Sequence, residues 1–290
     1  MTPPVITPFH DSATGTFTYL VSDPASRRAA IIDPVLDFDA RSGRTATRSA
    51  DAVLAALRGR GETLEWILET HAHADHLSAA AYLKAQAGGR IAIGEGIRAV
   101  QQVFVPIFGL EGACATDGSQ FDRLFIDGET FYLGELEVRV LALPGHTSDS
   151  IAYLVGDAAF IGDTLFMPDS GTARTDFPGG DAGRLYDSIQ RLYALPEATR
   201  LYMCHDYPTG AQTPRHETSV GAQCRENIHV RHDTGREAYV ELRTTRDRTL
   251  AMPALIIPAL QVNIRAGVLP APDANGIAYL RTPLNTLGCA

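Results

Sequence analysis

Residues 71–76 read His71-Ala72-His73-Ala74-Asp75-His76, placing four side chains able to bind a metal ion within six residues. The chain has nine histidines in 290 residues, and three of them sit here. The apolar run Leu64–Glu69 before the motif reads as a strand, and the alanine-rich stretch Leu77–Gln86 after it reads as a helix. Alternate side chains of an extended backbone share a face, so His71 and His73 are expected to point the same way. Asp75 and His76 follow where the chain turns into the helix. All four groups are thereby expected on one rim at a strand end, where α/β proteins place their active-site loops.

Three downstream segments repeat this grammar of a strand closed by a ligand-type residue. Leu136–Leu143 leads into Pro144-Gly145-His146-Thr147, Ala159–Ile161 into Gly162-Asp163-Thr164, and Leu201–Cys204 into His205-Asp206-Tyr207. Each alone is a weak signal, since a lone Gly-Asp or Gly-His is most often a turn. In this order behind HAHADH they complete a set of seven metal-ligand side chains: His71, His73, Asp75, His76, His146, Asp163 and His205.

Further out, Thr16–Val21 and Ala29–Ile32 flank the turn-prone Asp23–Arg27 and read as a hairpin. Ser49–Leu57 has helical periodicity starting at Ser49 or Asp51, and Gly183–Ala194 is a helix with Leu185, Ile189 and Leu192 on its apolar face. Ile91–Ile93 and Ile151–Val155 are further strands. Beyond about Glu217 polar helical stretches, Thr218–Asn227 and Arg236–Thr245, precede a Pro-punctuated apolar segment, Met252–Gly267. This divides the chain into a catalytic domain, 1–216, and a C-terminal extension, 217–290, that packs on it. A dimerisation or substrate-gating role for the extension stays open.

With 45% hydrophobic and 20% charged residues the composition is globular, and the length allows a real core. Twenty-five Lys+Arg against thirty-four Asp+Glu give a net charge of −9, with no basic block, which argues against nucleic acid or an anionic membrane as partner. No apolar run approaches the roughly 20 residues of a membrane span; the nearest, Ala254–Leu260, is interrupted by Pro258. The first residues, MTPPVITPFHDS, lack the charged and apolar regions of a secretory signal. Cys114, Cys204, Cys224 and Cys289 have no CxxC spacing and read as free thiols of a cytoplasmic protein. Cys204 reads as a small apolar strand residue, and His10, His216, His229 and His232 as surface or cap residues.

The order THAHADH, PGHT, GDT, CHDY resembles the metallo-β-lactamase superfamily over about residues 5–215. That resemblance implies an α/β fold, an αββα sandwich with the metal site at one edge between two sheets, here with a helical C-terminal extension. Two enzyme types in the superfamily are similar. Glyoxalase II hydrolyses glutathione thioesters with two metals, and the persulfide dioxygenases use one Fe(II) to oxidise glutathione persulfide to sulfite. Ser170–Gly179, SGTARTDFPG, and HDYP at 205–208 resemble the dioxygenases. The C-terminal MPALIIPALQVNIRAG, residues 252–267, resembles the bacterial β-lactamase-like hydrolase members of that group, linked to sulfide detoxification.

The ligand set accommodates either chemistry. In a two-zinc hydrolase, His71, His73 and His146 would hold one ion and Asp75, His76 and His205 the other, with Asp163 bridging and the water between them acidified. In a dioxygenase, His71, His146 and Asp163 form a two-His-one-carboxylate face for one Fe(II) per chain, leaving positions open for O2 and substrate. His73, Asp75, His76 and His205 then orient ligands and hold water. Arg174 and Tyr207 match the dioxygenases' residues around the substrate and are the candidate catalytic side chains. Two departures bear on the choice. Animal-type dioxygenases carry a cysteine at the position of Thr172, and glyoxalase II's basic, glutathione-gripping helical domain has no counterpart after Glu217. The favoured reading is an Fe(II) persulfide dioxygenase acting on a thiol persulfide, glutathione's foremost, and O2. The alternatives are a dinuclear Zn(II) thioester hydrolase and a non-catalytic metal-binding or sulfur-sensing module; a homodimer is left open.

Overall fold

Three antiparallel strands begin the chain, β1 (Val5–Asp11), β2 (Thr16–Asp23) and β3 (Arg28–Ile32), registered so that Phe9 faces Thr18 and Tyr19 faces Ile32. The computed structural model describes residues 3–207 and 212–287, so Pro208 and Cys289 lie outside the described residues. A short excursion through β4 (Val35–Asp39) and β5 (Arg44–Ala46) leads to helix α1 (Arg48–Gly59), then to β6 (Thr63–Leu68), parallel to β3. Next come β7 (Leu77–Ser78), α2 (Ala80–Ala87), β8 (Arg90–Gly94), α3 (Ile97–Phe108) and β9 (Arg123–Phe125). One sheet has the order β1-β2-β3-β6-β8-β9, and β5-β4-β7 form a small separate ribbon.

The second large sheet is built from β10 (Thr130–Leu133), β11 (Leu136–Ala142), β12 (Ile151–Val155), β13 (Ala158–Phe160), β14 (Arg200–Tyr202) and β15 (Glu217–Ser219), in that order. Helix α4 (Ala182–Tyr193) crosses over between β13 and β14, which is why these two form the one parallel pair of this sheet among the described residues. The extension then supplies α5 (Val220–Glu226), α6 (Arg236–Asp247) and α7 (Ile256–Asn263).

Period-two alternation sorts the side chains into layers. Tyr19, Ile32, Trp66 and Leu68 of the first sheet pack against Phe131, Val138, Tyr153 and Phe160 of the second. The opposite face of the first sheet, Leu20, Ile31, Ile67 and Ile91, meets α1 through Val53, Leu54 and Leu57, α3 through Phe104 and Phe108, and α7 through Leu260 and Val262. The outer face of the second sheet, Leu141, Ala159, Ile161 and Leu201, is covered by Leu185, Ile189 and Leu192 of α4 and Tyr239 of α6. The result is the αββα sandwich.

Local chemistry explains where elements differ from the sequence reading. Helix α1 starts at Arg48, ahead of the expected Ser49 or Asp51, because Asp37 of β4 accepts both the Ser49 N–H (3.1 Å) and its hydroxyl (3.0 Å). The helix expected from Leu77 begins only at Ala80. Leu77 and Ser78 pair with Leu36 and Val35, a tertiary partner overriding the helical propensity of the alanine-rich stretch. The helix expected over Thr218–Asn227 likewise loses its start to β15, and Ser219 caps α5 by accepting the Ala222 N–H at 3.2 Å. His229 is buried, not at the surface, because its Nδ1 accepts the Thr172 N–H at 3.0 Å. Cys114 and Cys204 are buried free thiols. Among the described residues no helix is long and apolar enough to cross a membrane.

Candidate metal centre

Residues 69–76 leave the end of β6 under tight backbone control. Asp33, directly after β3, accepts the Thr70 N–H (2.7 Å) and hydroxyl (2.9 Å), while Asp149 accepts the Ala72 N–H at 2.8 Å. The Thr70 hydroxyl lies 3.1 Å from His71 Nδ1, turning Nε2 inward. His146 follows β11 on a loop that Gly145 brings hard against α4: at φ +145 a Cβ there would lie 2.2 Å from the Leu185 nitrogen. Its Nδ1 donates to the Arg174 carbonyl at 2.7 Å. A carbonyl only accepts, so the proton sits on Nδ1 and Nε2 offers its lone pair. Asp163 follows β13 after Gly162, where a Cβ would come within 2.6 Å of the Thr70 hydroxyl. His205 follows β14 and bridges to Thr16 of β2.

All seven sequence-predicted ligands converge. His71 Nε2 and His146 Nε2 stand 3.8 and 3.7 Å from the same atom, Asp163 Oδ2. His73, Asp75, His76 and His205 each offer a ligand atom, all within 4.8 Å of one another. Asp163 joins the two groups, its Oδ1 lying 3.4 Å from His205 Nε2. His71 Nε2, His73 Nδ1, His76 Nε2, Asp163 Oδ1 and His205 Nε2 are buried without a hydrogen-bond partner. His205 Nε2 does lie 2.9 Å from Asp75 Oδ2, but the pair is out of hydrogen-bond alignment. Each orphaned buried group costs about 1–3 kcal/mol, so a convergent set of them fits a cation bound in their midst. Cys204 borders the cluster, but burial pushes its thiol pKa well up and leaves it a poor ligand.

The electrostatics agree with that fit. Burial lowers the pKa of His71, His73 and His146, keeping these imidazoles neutral and ready to coordinate. Burial raises Asp163 to about 7. For His205 burial acts downward, yet Asp163 and Asp75 prevail and raise it to about 9. A raised histidine stabilises the fold fully below its ordinary value and loses that contribution as pH climbs through the folded value. Metal-free protein is therefore expected to lose melting temperature between about pH 6.5 and pH 9. Loading with Zn(II) at pH 7.5 should release protons, seen as a buffer-dependent binding enthalpy in calorimetry. A pH-independent melting temperature with proton-neutral loading would contradict this account.

A cavity of about 670 Å³ opens onto Asp75, His146 and Asp163, walled by Phe166, Phe177, Tyr207 and Leu250. Tyr207 stacks on the His205 ring at 5.6 Å and 4°, leaving 58% of its surface exposed. The Arg174 side chain lines the cavity but is held by Asp176 (2.6 and 2.7 Å) and the Ala251 carbonyl (2.6 Å). Its contact with the ligand set runs through its backbone oxygen on His146. Thr172 is fastened too: its hydroxyl accepts from Tyr239 at 3.0 Å and its carbonyl from Arg243 at 2.9 Å. Sequence reasoning missed Asp33, Asp149, Thr16 and Asn263 around the ligands. Asp33 alone carried a signal, ending a strand just as His146 and Asp163 do.

An αββα sandwich with a buried His/Asp metal centre between its sheet edges defines a metallo-β-lactamase-type enzyme, a metal-dependent hydrolase or oxygenase. The chain belongs to the metallo-β-lactamase superfamily, whose family profile matches residues 12–205. It is 50% identical over 289 residues to a probable metallo-hydrolase of Burkholderia pseudomallei, covering 96% of this chain and 98% of that one. A β-lactamase hydrolase-like protein of Agrobacterium fabrum is 53% identical over 284 residues, covering 98% of this chain but 65% of that protein, so the chain spans about two thirds of its length. The mitochondrial persulfide dioxygenase ETHE1 of Homo sapiens is 30% identical over 257 residues, covering 87% and 85%. The crystal structure of ETHE1 from Myxococcus xanthus matches with a TM-score of 0.73 at 32% identity, covering 91% of this chain and all of that one.

Proposed function

We propose that the chain is a non-haem Fe(II) persulfide dioxygenase that oxidises a thiol persulfide, with glutathione as the foremost carrier, to sulfite. The supporting observation is the likeness to ETHE1 along that protein's whole length, laid over two histidines facing one carboxylate oxygen. The balanced reaction is RSSH + O2 + H2O giving RSH, sulfite and two protons. His71, His146 and Asp163 would hold the iron, which when bound supplies a centre able to take up O2 and a soft sulfur side by side. Thr70 and the Arg174 carbonyl fix the two imidazoles in the coordinating orientation. Phe166, Phe177 and Leu250 exclude water from the persulfide. Tyr207, at the cavity mouth, presents a phenol that is protonated at neutral pH and able to donate a hydrogen bond. Buried free cysteines support a reducing, cytoplasmic setting.

An oxygen electrode run beside a thioester-cleavage assay tests the reading. Glutathione persulfide should drive O2 uptake and sulfite release, and glutathione alone should drive neither. Anaerobic thioester cleavage with no O2 uptake on persulfide would overturn the proposal. It would favour the second reading, a dinuclear zinc thioester hydrolase, which has its own support in the His73, Asp75, His76, His205 cluster.

The two readings also diverge on substitution. Under the dioxygenase reading, His76→Ala or His205→Ala leaves the iron bound and lowers turnover about 10- to 100-fold, as losses among groups that orient ligands do. Metal content of the purified variants decides: loss of one of two metals together with activity is the hydrolase outcome.

A further inference from the structure

From the apolar C-terminal segment 252–267, Asn263 at the end of α7 reaches into the ligand loop. Its Nδ2 donates to the His73 carbonyl and to the His76 carbonyl, each at 2.8 Å. Its Oδ1 accepts the Ser78 N–H at 2.7 Å. The side chain is buried, with 5% of the residue's surface exposed. Only a primary amide places two donors on one atom and an acceptor on its neighbour, and two carbonyls with one N–H fix which way round it sits. Tying carbonyls three residues apart to one nitrogen sets the turn that carries Asp75 and His76 toward His205.

The platform behind this contact is itself held in place. Gln101 of α3 donates to the Ile264 carbonyl at 2.8 Å. A Cβ on Gly267 would lie 2.9 Å from the Ser78 oxygen, so the end of α7 fits flush against β7. We propose that Asn263 is a positioning residue of the metal centre: it sets the backbone of residues 73–78, and through it the His73, Asp75, His76 group. The inference rests on the metal-centre reading and is independent of which reaction the centre performs.

The test is Co(II) binding to chelator-stripped, full-length protein, read as affinity and as the visible d–d spectrum, with the metal-free melting temperature measured in parallel. Asn263→Asp keeps the shape and the acceptor for Ser78 but loses both donations; Asn263→Leu loses all three bonds. Gln261→Leu is the control on the same helix. Gln261 donates to the Ile257 and Arg281 carbonyls (2.8 and 2.9 Å), away from the ligand loop. Both Asn263 variants are expected to weaken Co(II) binding about 10- to 100-fold and alter the spectrum, while Gln261→Leu lowers the melting temperature only. Should Asn263→Leu not fold, Asn263→Asp carries the same expectation. Asn263 variants that match wild type in affinity and spectrum, or do no worse than Gln261→Leu, would overturn the proposal. A wild-type protein that binds no Co(II) would instead sink the metal-centre reading itself.

Discussion

Replacing His71, His146 or Asp163 by alanine should strip the metal and bring turnover below detection. Complete four-ligand protein sites bind zinc with apparent free energies of about 10–16 kcal/mol, so one ligand among four carries roughly 2.5–4 kcal/mol. At about 1.4 kcal/mol per decade that is on the order of 100- to 1000-fold in affinity. The share is no smaller when only three side chains hold the ion, as in the proposed iron face. Asp163 should be the most damaging of the three. It faces both histidines through one oxygen and His205 through the other, and it brings the negative charge. Metal analysis of dialysed variants beside an O2-uptake assay checks this. A metal-replete Asp163→Ala with wild-type turnover would remove the carboxylate from the site.

That this site can be read from sequence at all follows from how β-sheets deliver side chains. Four strand ends bring four loops to one edge, and each ligand lies within a few residues of its strand, so strand order suffices to predict convergence. Asp33 escaped because it ends a strand upstream of HAHADH, whereas the ordered set of ligand-bearing strand ends runs downstream of it. Asn263 and Asp149 escaped for a deeper reason: their roles lie in hydrogen bonds to backbone atoms up to 190 residues away, which no local pattern encodes. The same limit governs the fold. The hairpin β2–β3 and helix α4 carry their periodicity in a handful of residues, whereas Leu77–Ser78 became a strand only because β4 lies beside it. The sequence reading places no helix over Ile97–Phe108, the twelve residues of α3, which ends where Gly109 takes the left-handed conformation at φ 62. His229 reads as a surface or cap residue because its partner, the Thr172 N–H, belongs to a loop far off in sequence.

Asp247→Ala is expected to cost about 3–5 kcal/mol of stability in denaturant unfolding, a large part of the roughly 5–15 kcal/mol that holds an ordinary domain together. Asp247 and Arg243 are both buried, at 3% and 1% exposure. Asp247 Oδ1 accepts from Arg243 Nε at 2.9 Å, and Oδ2 from the Thr175 N–H and hydroxyl at 2.9 and 3.0 Å. Removing the carboxylate leaves a guanidinium charge in the interior and the Thr175 N–H without its acceptor; removing both charges relieves the first and larger penalty, though the Thr175 N–H and the Thr172 carbonyl then lack their partners. The double variant Arg243→Leu/Asp247→Leu should therefore recover much of what Asp247→Ala loses. The effect should also travel. Thr175 and Thr172, the two residues this pair holds, bracket Arg174, whose carbonyl orients His146. A loop released by Asp247→Ala lets that acceptor drift, so metal affinity should fall beside stability, although no ligand has been touched. Unfolding within about 1 kcal/mol of wild type would mean that Arg243 finds another partner. Unchanged metal affinity in a destabilised variant would mean that His146 is held by its own loop against α4, and that α6 fastens the sandwich without tuning its chemistry.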